Sequence, residues 1–383
     1  MNKKVVILAH LRVFPVVSGG SLRTRFIASS FSKRGYDVTI VSLADKRIMD
    51  NFSPTPPAPI REVVLSSKLF TFAMRVGCRL SLPALWYEPK VRLLNERLHR
   101  DYLADADIVV ADLPYLYRVF ENYRGKKILN THNVEHHLYT GFPGLSSWVR
   151  SVENKAHAAA EMTLCCTPED AAYFENLGGK SKVSLVPNGI DVTPYKESRE
   201  ERDATRRELG LSPDDIVVLF PASSYRPNVD GAQFLLSFVN RYRDRLSALK
   251  VKIAIVGSVL PVKTYNNVLQ AYGKVPKIAP FFAAADIAVN PIFSGSGSSL
   301  KVAEFIAAGL PLMTTKTGAR GFDLDDQSTR FFSDEQTLMT SLEYLVERRK
   351  QWKNFSDKAW DRNAAFITGD KAFDEMLEAL FVD

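Results

Sequence analysis

Short apolar segments rich in β-branched residues alternate with longer amphipathic segments along the chain. This pattern is typical of parallel strands joined by crossover helices, because such strands are buried on both faces. It therefore predicts an α/β fold. The predicted strands are residues 5–9, 37–42, 108–111, 127–130, 162–167, 183–186, 216–221, 251–257, 286–290 and 312–315. The predicted helices are residues 26–34, 153–161, 168–177, 230–246, 278–285 and 300–308, followed by a helical tail over 335–381.

A polar segment divides this alternation into two halves. The strand at 183–186 ends in Pro187-Asn188-Gly189, a strong turn signal. Residues 193–207 alternate in charge and contain few apolar side chains, so we interpret them as a linker with a surface helix. The two halves predict two doubly wound domains that face each other. Ligands of such sheets lie beyond the carboxyl ends of the strands, which favours a site in the cleft between the domains.

Size and composition agree with a globular protein of two domains. The chain has 383 residues, of which 46% are hydrophobic and 24% are charged. Its three cysteines, Cys78, Cys165 and Cys166, suggest neither a disulfide framework nor zinc ligands, which favours a reducing, cytoplasmic setting. We interpret residues 1–10 as a buried strand rather than a signal peptide. No segment reaches the roughly 18 apolar residues that a membrane span needs.

The net charge of +7 is concentrated in one part of the chain. Residues 61–100 contain eight lysines and arginines, including Lys90, against three glutamates, with aromatic residues between them. Such a stretch can contact an anionic membrane surface or hold an acidic acceptor. Alternatively, the charged residues form a solvated face while the aromatic residues belong to the core. Both interpretations of this stretch stay open. We expect no nucleic-acid partner.

A loop of small residues, 295–299, runs directly into an apolar helix that carries Lys301 and Glu304. The backbone N–H groups of Gly297, Ser298 and Ser299 would open this helix, where unpaired donors and the helix dipole favour an anion. Lys301 adds a positive charge, and Glu304 on the same face offers a carboxylate to sugar hydroxyls. A site that binds a phosphate next to a polyol fits a nucleotide sugar. A Gly/Ser turn that caps an ordinary helix is the alternative.

Several further motifs occur in a fixed order along the chain. They are Gly19-Gly20-Ser21-Leu22-Arg23-Thr24-Arg25, Thr131-His132-Asn133-Val134-Glu135, Val186-Pro187-Asn188-Gly189-Ile190-Asp191 and Tyr225-Arg226-Pro227-Asn228-Val229-Asp230-Gly231. With these motifs the chain resembles the nucleotide-sugar-dependent glycosyltransferases of family 4. The resemblance implies the GT-B fold, with an acceptor-binding Rossmann-like domain at 1–190 and a donor-binding one at 191–360. It also implies a C-terminal helix, 361–383, that packs back on the first domain.

The resemblance assigns donor contacts to the second half. Glu304 matches the family glutamate that binds the ribose, whereas the glutamate that usually contacts the sugar is replaced by Ser296. Arg226 matches the arginine placed over the diphosphate. The lysine that often accompanies it is replaced by Ala232. We expect Lys301 to supply the second charge, and backbone N–H groups to carry more of the sugar recognition.

The resemblance also assigns residues of the first half. His132 matches the family histidine at the cleft edge and would contact the transferred sugar or, with Asn133, orient the acceptor. Gly19 and Gly20 are expected to form a flexible loop that faces the donor phosphates. Arg23 or Arg25 would touch acceptor or phosphate, unless both lie on the surface of the following helix. The expected catalytic residues are His132, Arg226 and Lys301.

The expected reaction is therefore transfer with retention from a UDP- or GDP-sugar to a glycan, lipid-linked or small-molecule hydroxyl, in polysaccharide biosynthesis. A front-face mechanism is expected, because no carboxylate lies in a motif that marks a covalent nucleophile. The resemblance implies no metal or other cofactor, although the i,i+4 spacing of His132 and His136 leaves a metal site as an alternative. A non-catalytic GT-B partner subunit and a nucleotide-sugar epimerase are the other functional alternatives. The expected location is cytoplasmic, at the inner face of the membrane.

Overall fold

The computed structural model describes residues 2–14, 19–43, 59–65, 84–295 and 298–382. The chain forms two compact units. The first consists of Met1–Gly189 with Gly369–Asp383, and the second of Ile190–Thr368. The segment that returns to the first unit therefore begins at Gly369 rather than at position 361.

Within its described residues, the first unit contains a sheet of seven parallel strands in the order β3-β2-β1-β4-β5-β6-β7. Chain order reverses between β1 and β4, where Val5 lies opposite Ile108 and Ala9 opposite Asp112. This is the topological switch point of a doubly wound sheet. The strands are β1 (Lys4–Ala9), β2 (Asp37–Ser42), β3 (Arg61–Val64), β4 (Ile108–Asp112), β5 (Lys126–Asn130), β6 (Met162–Cys165) and β7 (Lys182–Leu185).

Helices cover both faces of this sheet. They are α1 (Gly19–Lys33), α2 (Ala84–Leu98), α3 (Pro143–Ala159), α4 (Pro168–Leu177) and the C-terminal α12 (Asp370–Phe381), with tighter helical turns at Pro114–Phe120 and Glu135–Tyr139. Successive residues of β1 enter opposite cores, since Val6 belongs to one apolar cluster and Val5 to the other. The helix α12 packs on this unit through Phe373, whose ring lies 4.9 Å from that of Phe31.

The described part of the second unit contains another seven-stranded sheet, in the order β10-β11-β9-β8-β12-β13-β14. All neighbours are parallel except β10 and β11. The switch point lies between β8 and β12. The strands are β8 (Ile216–Pro221), β9 (Val251–Val256), β10 (Lys263–Thr264), β11 (Leu269–Gly273), β12 (Ile287–Asn290), β13 (Leu312–Thr314) and β14 (Thr329–Phe331). The helices are α5 (Thr193–Glu197), α6 (Arg202–Glu208), α7 (Arg226–Ala248), α8 (Ala279–Ala284), α9 (Leu300–Ala307), α10 (Glu335–Glu347) and α11 (Trp352–Thr368).

The predicted α/β fold with two doubly wound sheets is confirmed, and each predicted strand is present with small differences at its ends. Several helices begin earlier than predicted. Gly19 and Gly20 form the first turn of α1, so the prediction of a flexible glycine loop there is wrong. Glycine lowers helix propensity by about 1 kcal/mol, and the packed face of α1 overrides that preference. Within the described residues, no helix combines the length and hydropathy required of a membrane span.

The interpretation of residues 193–207 as a linker is wrong, because they belong to the second unit, but they do form helices with mostly exposed residues. Arg206 on α6 is buried and donates to Asp286 Oδ2 (3.1 Å) and to the carbonyl oxygen of Ala284 (3.0 Å). Asp286 in turn accepts the N–H of Val217 (2.8 Å). Arg202 and Arg206 are thus paired with Asp286, whereas most other charged residues of this segment, such as Lys196 and Glu201, are exposed.

Candidate functional site

The second unit brings two helix N-termini together beyond the carboxyl ends of β8 and β12. Helix α7 begins at Arg226 and α9 at Leu300. The ammonium group of Lys301 donates a hydrogen bond to Asn228 Oδ1, which links the first turns of the two helices. Unpaired N–H groups and helix dipoles both favour an anion at such ends. The switch point is also where open α/β sheets bind ligands.

Lys301 is half-buried at this junction. Its nitrogen lies 4.9 Å from the centre of the Phe220 ring, a cation–π distance. Burial lowers the pKa of Lys301 to about 7, while the nearby carboxylate of Glu304 acts in the opposite direction. Lys301 is thus poised to gain a full charge when an anion arrives.

Glu304 lies one turn further along α9 and is held from another helix. Tyr195 Oη of α5 donates a 2.6 Å hydrogen bond to Glu304 Oε1. Burial raises the pKa of Glu304, and the Tyr195 bond and the charge of Lys301 act against that rise. The bond involves one oxygen of the carboxylate and fixes its orientation. Tyr195 was missed from the sequence, because it lies in the segment interpreted as a surface linker.

Arg226 occupies the first position of α7, and its side chain is 81% exposed. Its Nε lies 2.9 Å from Asp230 Oδ1, an i,i+4 ion pair. Ala232, where the family lysine often stands, is fully buried in the core. Arg226 and Lys301 thus lie at the start of neighbouring helices, and only Lys301 is part of the bond between them.

The loop in front of α9 is tied to the loop that follows β13. Asn290 Nδ2 at the end of β12 donates to Ser299 Oγ (3.2 Å) and to the carbonyl oxygen of Gly318 (3.0 Å). Ser299 is the N-cap residue of α9, and Ser298 beside it is half-buried. Ser296 and Gly297 lie outside the described residues, so the role predicted for Gly297 stays a prediction.

At the switch point of the first unit, Asp112 is the centre of a polar cluster. It is 1% exposed and accepts hydrogen bonds from Asn130 Nδ2 (2.6 Å) and Thr24 Oγ1 (2.8 Å). His132 Nε2 lies 2.9 Å from Oδ1, and His10 Nδ1 lies 3.8 Å from Oδ2. Burial acts to raise the pKa of Asp112, but the two histidines hold it well below its usual range. An ionised Asp112 therefore fixes the ring of His132.

The backbone after Asp112 is strained. Leu113 is a buried residue with φ of +101°, and its N–H donates to the carbonyl oxygen of Asn130 (3.0 Å). Such a conformation costs about 1–3 kcal/mol and is kept where the surrounding structure over-determines it, often at functional sites. The strain lies beside the carboxylate that holds His132.

The buried Glu153 holds the segment that follows His132 and Asn133 through two hydrogen bonds. Its carboxylate accepts the N–H of Glu135 (2.6 Å) and pairs with His136 Nδ1 (2.7 Å). Asn133 Nδ2 donates to Glu135 Oε1 (2.9 Å). Burial raises the pKa of Glu153 to about 8 and lowers that of His136 to about 4.

His132 and His136 are therefore bonded to two different carboxylates, Asp112 and Glu153. Among the residues described, no group of three or more His, Cys, Asp or Glu side chains is arranged to hold a metal ion.

The side chain of Arg23 is buried in the first unit. It is 1% exposed, and its Nη1 donates to the carbonyl oxygen of Val186 (2.9 Å) and to Asn188 Oδ1 (2.8 Å). The surface alternative is therefore wrong for Arg23, because α1 turns this position into the core. The predicted contact of Arg23 with acceptor or phosphate stays a prediction. Arg25 is half-buried, and its predicted contact stays a prediction.

The basic stretch at 61–100 falls partly outside the described residues, which exclude 66–83. One of its cations is not a surface charge, since Lys90 is buried and donates to the carbonyl oxygen of Leu43 (3.0 Å). Arg97 and Arg100 pair with Asp101. Leu93 on α2 is 83% exposed.

Comparisons with known proteins identify the family and the fold. Residues 17–193 match the model of Glycosyltransferase Family 4, and residues 215–348 match that of Glycosyl transferases group 1. The fold is that of GT-B glycosyltransferases. The chain belongs to the glycosyltransferases of the family 4 type.

The individual relatives have low sequence identity to this chain. The D-inositol 3-phosphate glycosyltransferase of Pseudarthrobacter chlorophenolicus is 26% identical over 174 residues, which is 42% of this chain and 40% of that protein. The alignment thus spans about two fifths of this curated relative. The structure of Anabaena HepE with UDP and glucose has a TM-score of 0.71 and 16% identity, covering 99% of this chain and 100% of HepE. WaaG, a glycosyltransferase involved in lipopolysaccharide biosynthesis, has a TM-score of 0.63 and 17% identity, covering 97% and 99% of the two chains.

Proposed function

We propose that the chain transfers a sugar from a nucleoside diphosphate sugar to an acceptor hydroxyl, with retention of anomeric configuration and without a metal ion. The observation that carries this proposal is the junction of α7 and α9, where Lys301 and Glu304 lie on one helix face. Two helix N-termini and an ammonium group suit a diphosphate, and a carboxylate suits the hydroxyls of a ribose.

The donor in this proposal is a UDP-sugar, with a GDP-sugar as the second choice. HepE, which has the same fold, has been solved with UDP-glucose, with a TM-score of 0.68 to this chain. The identity to HepE is 16%, so this likeness supports the fold and suggests the donor class.

The proposed mechanism uses the donor itself as the base. The bond between C1 and the phosphate oxygen breaks while the acceptor oxygen attacks C1 from the same face. The acceptor proton passes to the departing phosphate. The residues of this chain position both substrates and stabilise the negative charge that develops on the diphosphate, with Lys301 and Arg226 as the cations.

His132 would orient the acceptor or the transferred sugar. When the ring of His132 is neutral and carries its proton on Nε2, toward Asp112, its Nδ1 is a hydrogen-bond acceptor. This tautomer can accept a bond from a sugar hydroxyl at Nδ1. The buried Asn130 and Thr24 bonds keep Asp112 in place for that role.

The acceptor in this proposal is a glycan, lipid-linked or small-molecule hydroxyl in polysaccharide biosynthesis. The free, buried thiol of Cys165 supports a reducing, cytoplasmic setting. Contact with the inner face of the membrane is proposed through the exposed cations and apolar residues of 61–100, such as Arg92 and Leu93.

The test is a panel of UDP-, GDP- and ADP-sugars added to the purified chain. A bound donor raises the unfolding temperature, because it binds the native state alone. Release of the nucleoside diphosphate is then followed with water and with a panel of glycan and lipid-linked acceptors. Transfer or hydrolysis supports the proposal, whereas binding without turnover favours the non-catalytic partner subunit. No shift with any donor contradicts the proposal.

A further inference from the structure

The turn that follows β13 is held rigidly beside the start of α9. Gly318 N donates to Thr315 Oγ1 (2.9 Å), and its carbonyl oxygen accepts from Asn290 Nδ2 (3.0 Å). A Cβ atom at Gly318 would lie 2.6 Å from Thr314 Oγ1 and 2.8 Å from Asn290 Nδ2, so the chain approaches too closely here for any side chain. The same Asn290 amide bonds Ser299. The residues after Gly318 are therefore fixed relative to the N-terminus of α9.

This turn places the guanidinium of Arg320 at the loop that precedes α9. Arg320 Nη2 lies 3.9 Å from the position that a Cβ atom of Gly295 would occupy. Pro227 Cγ and Tyr225 Oη approach the same point to 3.6 and 4.0 Å. Tyr225 is the N-cap residue of α7. Arg320 thus lies where the loop before α9 meets the N-terminus of α7.

Arg320 differs from Lys301 and Arg226 in how far its polar atoms are paired with other side chains. Lys301 bonds Asn228, and Arg226 pairs with Asp230. Arg320 Nε is shielded from solvent and has no hydrogen-bond partner among the residues described. A guanidinium is always charged, and a buried donor without an acceptor is costly. An anionic ligand bound at the junction would supply an acceptor for this guanidinium.

We propose that Arg320 binds the diphosphate of the donor, as a third cation beside Lys301 and Arg226. This inference rests on the proposed function. A planar guanidinium presents a fork of N–H donors that matches phosphate oxygens. Arg320 enters from the turn after β13, so it approaches the diphosphate from a different element than Lys301 on α9 and Arg226 on α7. It compensates for Ala232, which replaces a cation in the family pattern.

The test compares nucleoside diphosphate binding with nucleoside binding. UDP and uridine, GDP and guanosine, and ADP and adenosine are titrated into the wild type, Arg320→Ala and Arg320→Lys. Arg207→Ala, an exposed arginine of the same unit, is the matched control. We expect Arg320→Ala to weaken binding of the preferred diphosphate by about ten-fold or more, with nucleoside binding unchanged. Arg320→Lys, which keeps the charge without the fork, should recover part of the loss.

Each outcome decides the inference. Equal diphosphate affinity in Arg320→Ala and the wild type, within about two-fold, overturns it while the proposed function stands. An equal loss for diphosphate and nucleoside also overturns it, because it shows a structural role. If Arg320→Ala does not fold, Arg320→Lys decides, and full wild-type affinity in that variant overturns recognition by the fork. If the wild type binds no diphosphate at all, the proposed function fails and takes this inference with it.

Discussion

Tyr195 Oη donates a 2.6 Å hydrogen bond to Glu304 Oε1, and this bond joins the first helix of the second unit to the helix of the candidate donor site. Tyr195 is buried against Phe282, with ring centres 5.0 Å apart. The carboxylate proposed to bind the ribose is therefore oriented by a residue more than one hundred positions earlier in the chain.

Replacing Tyr195 by Phe removes the hydroxyl and keeps the ring. Glu304 then loses a buried donor, which should cost about 1–3 kcal/mol in stability and weaken donor binding about ten-fold. Titration with the donor nucleotide and thermal unfolding measure the two effects. Tyr272→Phe is the matched control, since Tyr272 packs on Phe281 in the same unit (5.1 Å). Unchanged donor affinity in Tyr195→Phe would show that the Tyr195 hydrogen bond does not orient Glu304 for donor binding.

Lys301 should make donor binding depend on pH. Its pKa is lowered to about 7, so the side chain is cationic below that pH and loses its charge as the pH rises. A diphosphate prefers the cation, and binding above pH 7 must therefore take up a proton. We expect the affinity for UDP to fall between about pH 7 and 9, by up to ten-fold per pH unit. Calorimetric titration across this range should show no such fall in Lys301→Met, and a flat wild-type profile would contradict the assignment.

His132→Ala tests the first unit separately from the second. Loss of the imidazole should lower sugar transfer by about a hundred-fold. Binding of UDP, which lacks the sugar, should stay within about two-fold of the wild type. Transfer kinetics and UDP titration are measured on the same preparation. His137→Ala, an exposed neighbour, is the control, and equal transfer by the two variants would rule out the proposed role of His132.

Gly318→Ala tests the rigid turn after β13. The added methyl group would meet Thr314 Oγ1 and Asn290 Nδ2 at less than 3 Å, which should cost about 1–3 kcal/mol and misplace the turn. Lower unfolding temperature and weaker UDP binding are expected together. Gly144→Ala is the control, because its Cβ position is open. Wild-type behaviour of Gly318→Ala would show that the turn adapts.

The basic stretch predicts binding to anionic vesicles. Co-sedimentation with vesicles that contain an anionic lipid is expected at low salt and should be lost at high salt, since screening weakens surface electrostatics. Vesicles of neutral lipid are the control. Absence of binding to anionic vesicles at low salt argues against contact with the membrane through residues 61–100.

The strands and the two halves could be predicted from the sequence because buried parallel strands are continuous apolar runs, as in Ile216–Pro221. The position of Lys301 and Glu304 on one helix could be predicted, because a loop of small residues runs directly into an apolar segment there. These signals are local, within a few residues of one another.

Contacts between distant segments could not be predicted in this way. Tyr195 and Arg206 looked solvated, and both are buried by partners 80 or more positions away. Arginine usually lies on the surface, yet α1 directs the side chain of Arg23 into the core, where it donates to Asn188. Asp112 ends an apolar strand, and its importance follows only from His132, Asn130 and Thr24 meeting around it.

The central claim is that the chain binds a nucleoside diphosphate sugar at the junction of α7 and α9 and transfers its sugar. Its most direct test is the release of nucleoside diphosphate from the preferred donor, measured for the wild type, Lys301→Ala and Arg226→Ala. Turnover by the wild type, lowered about a hundred-fold in both variants at unchanged unfolding temperature, is the predicted result. Turnover near the wild-type rate in both variants would contradict the account.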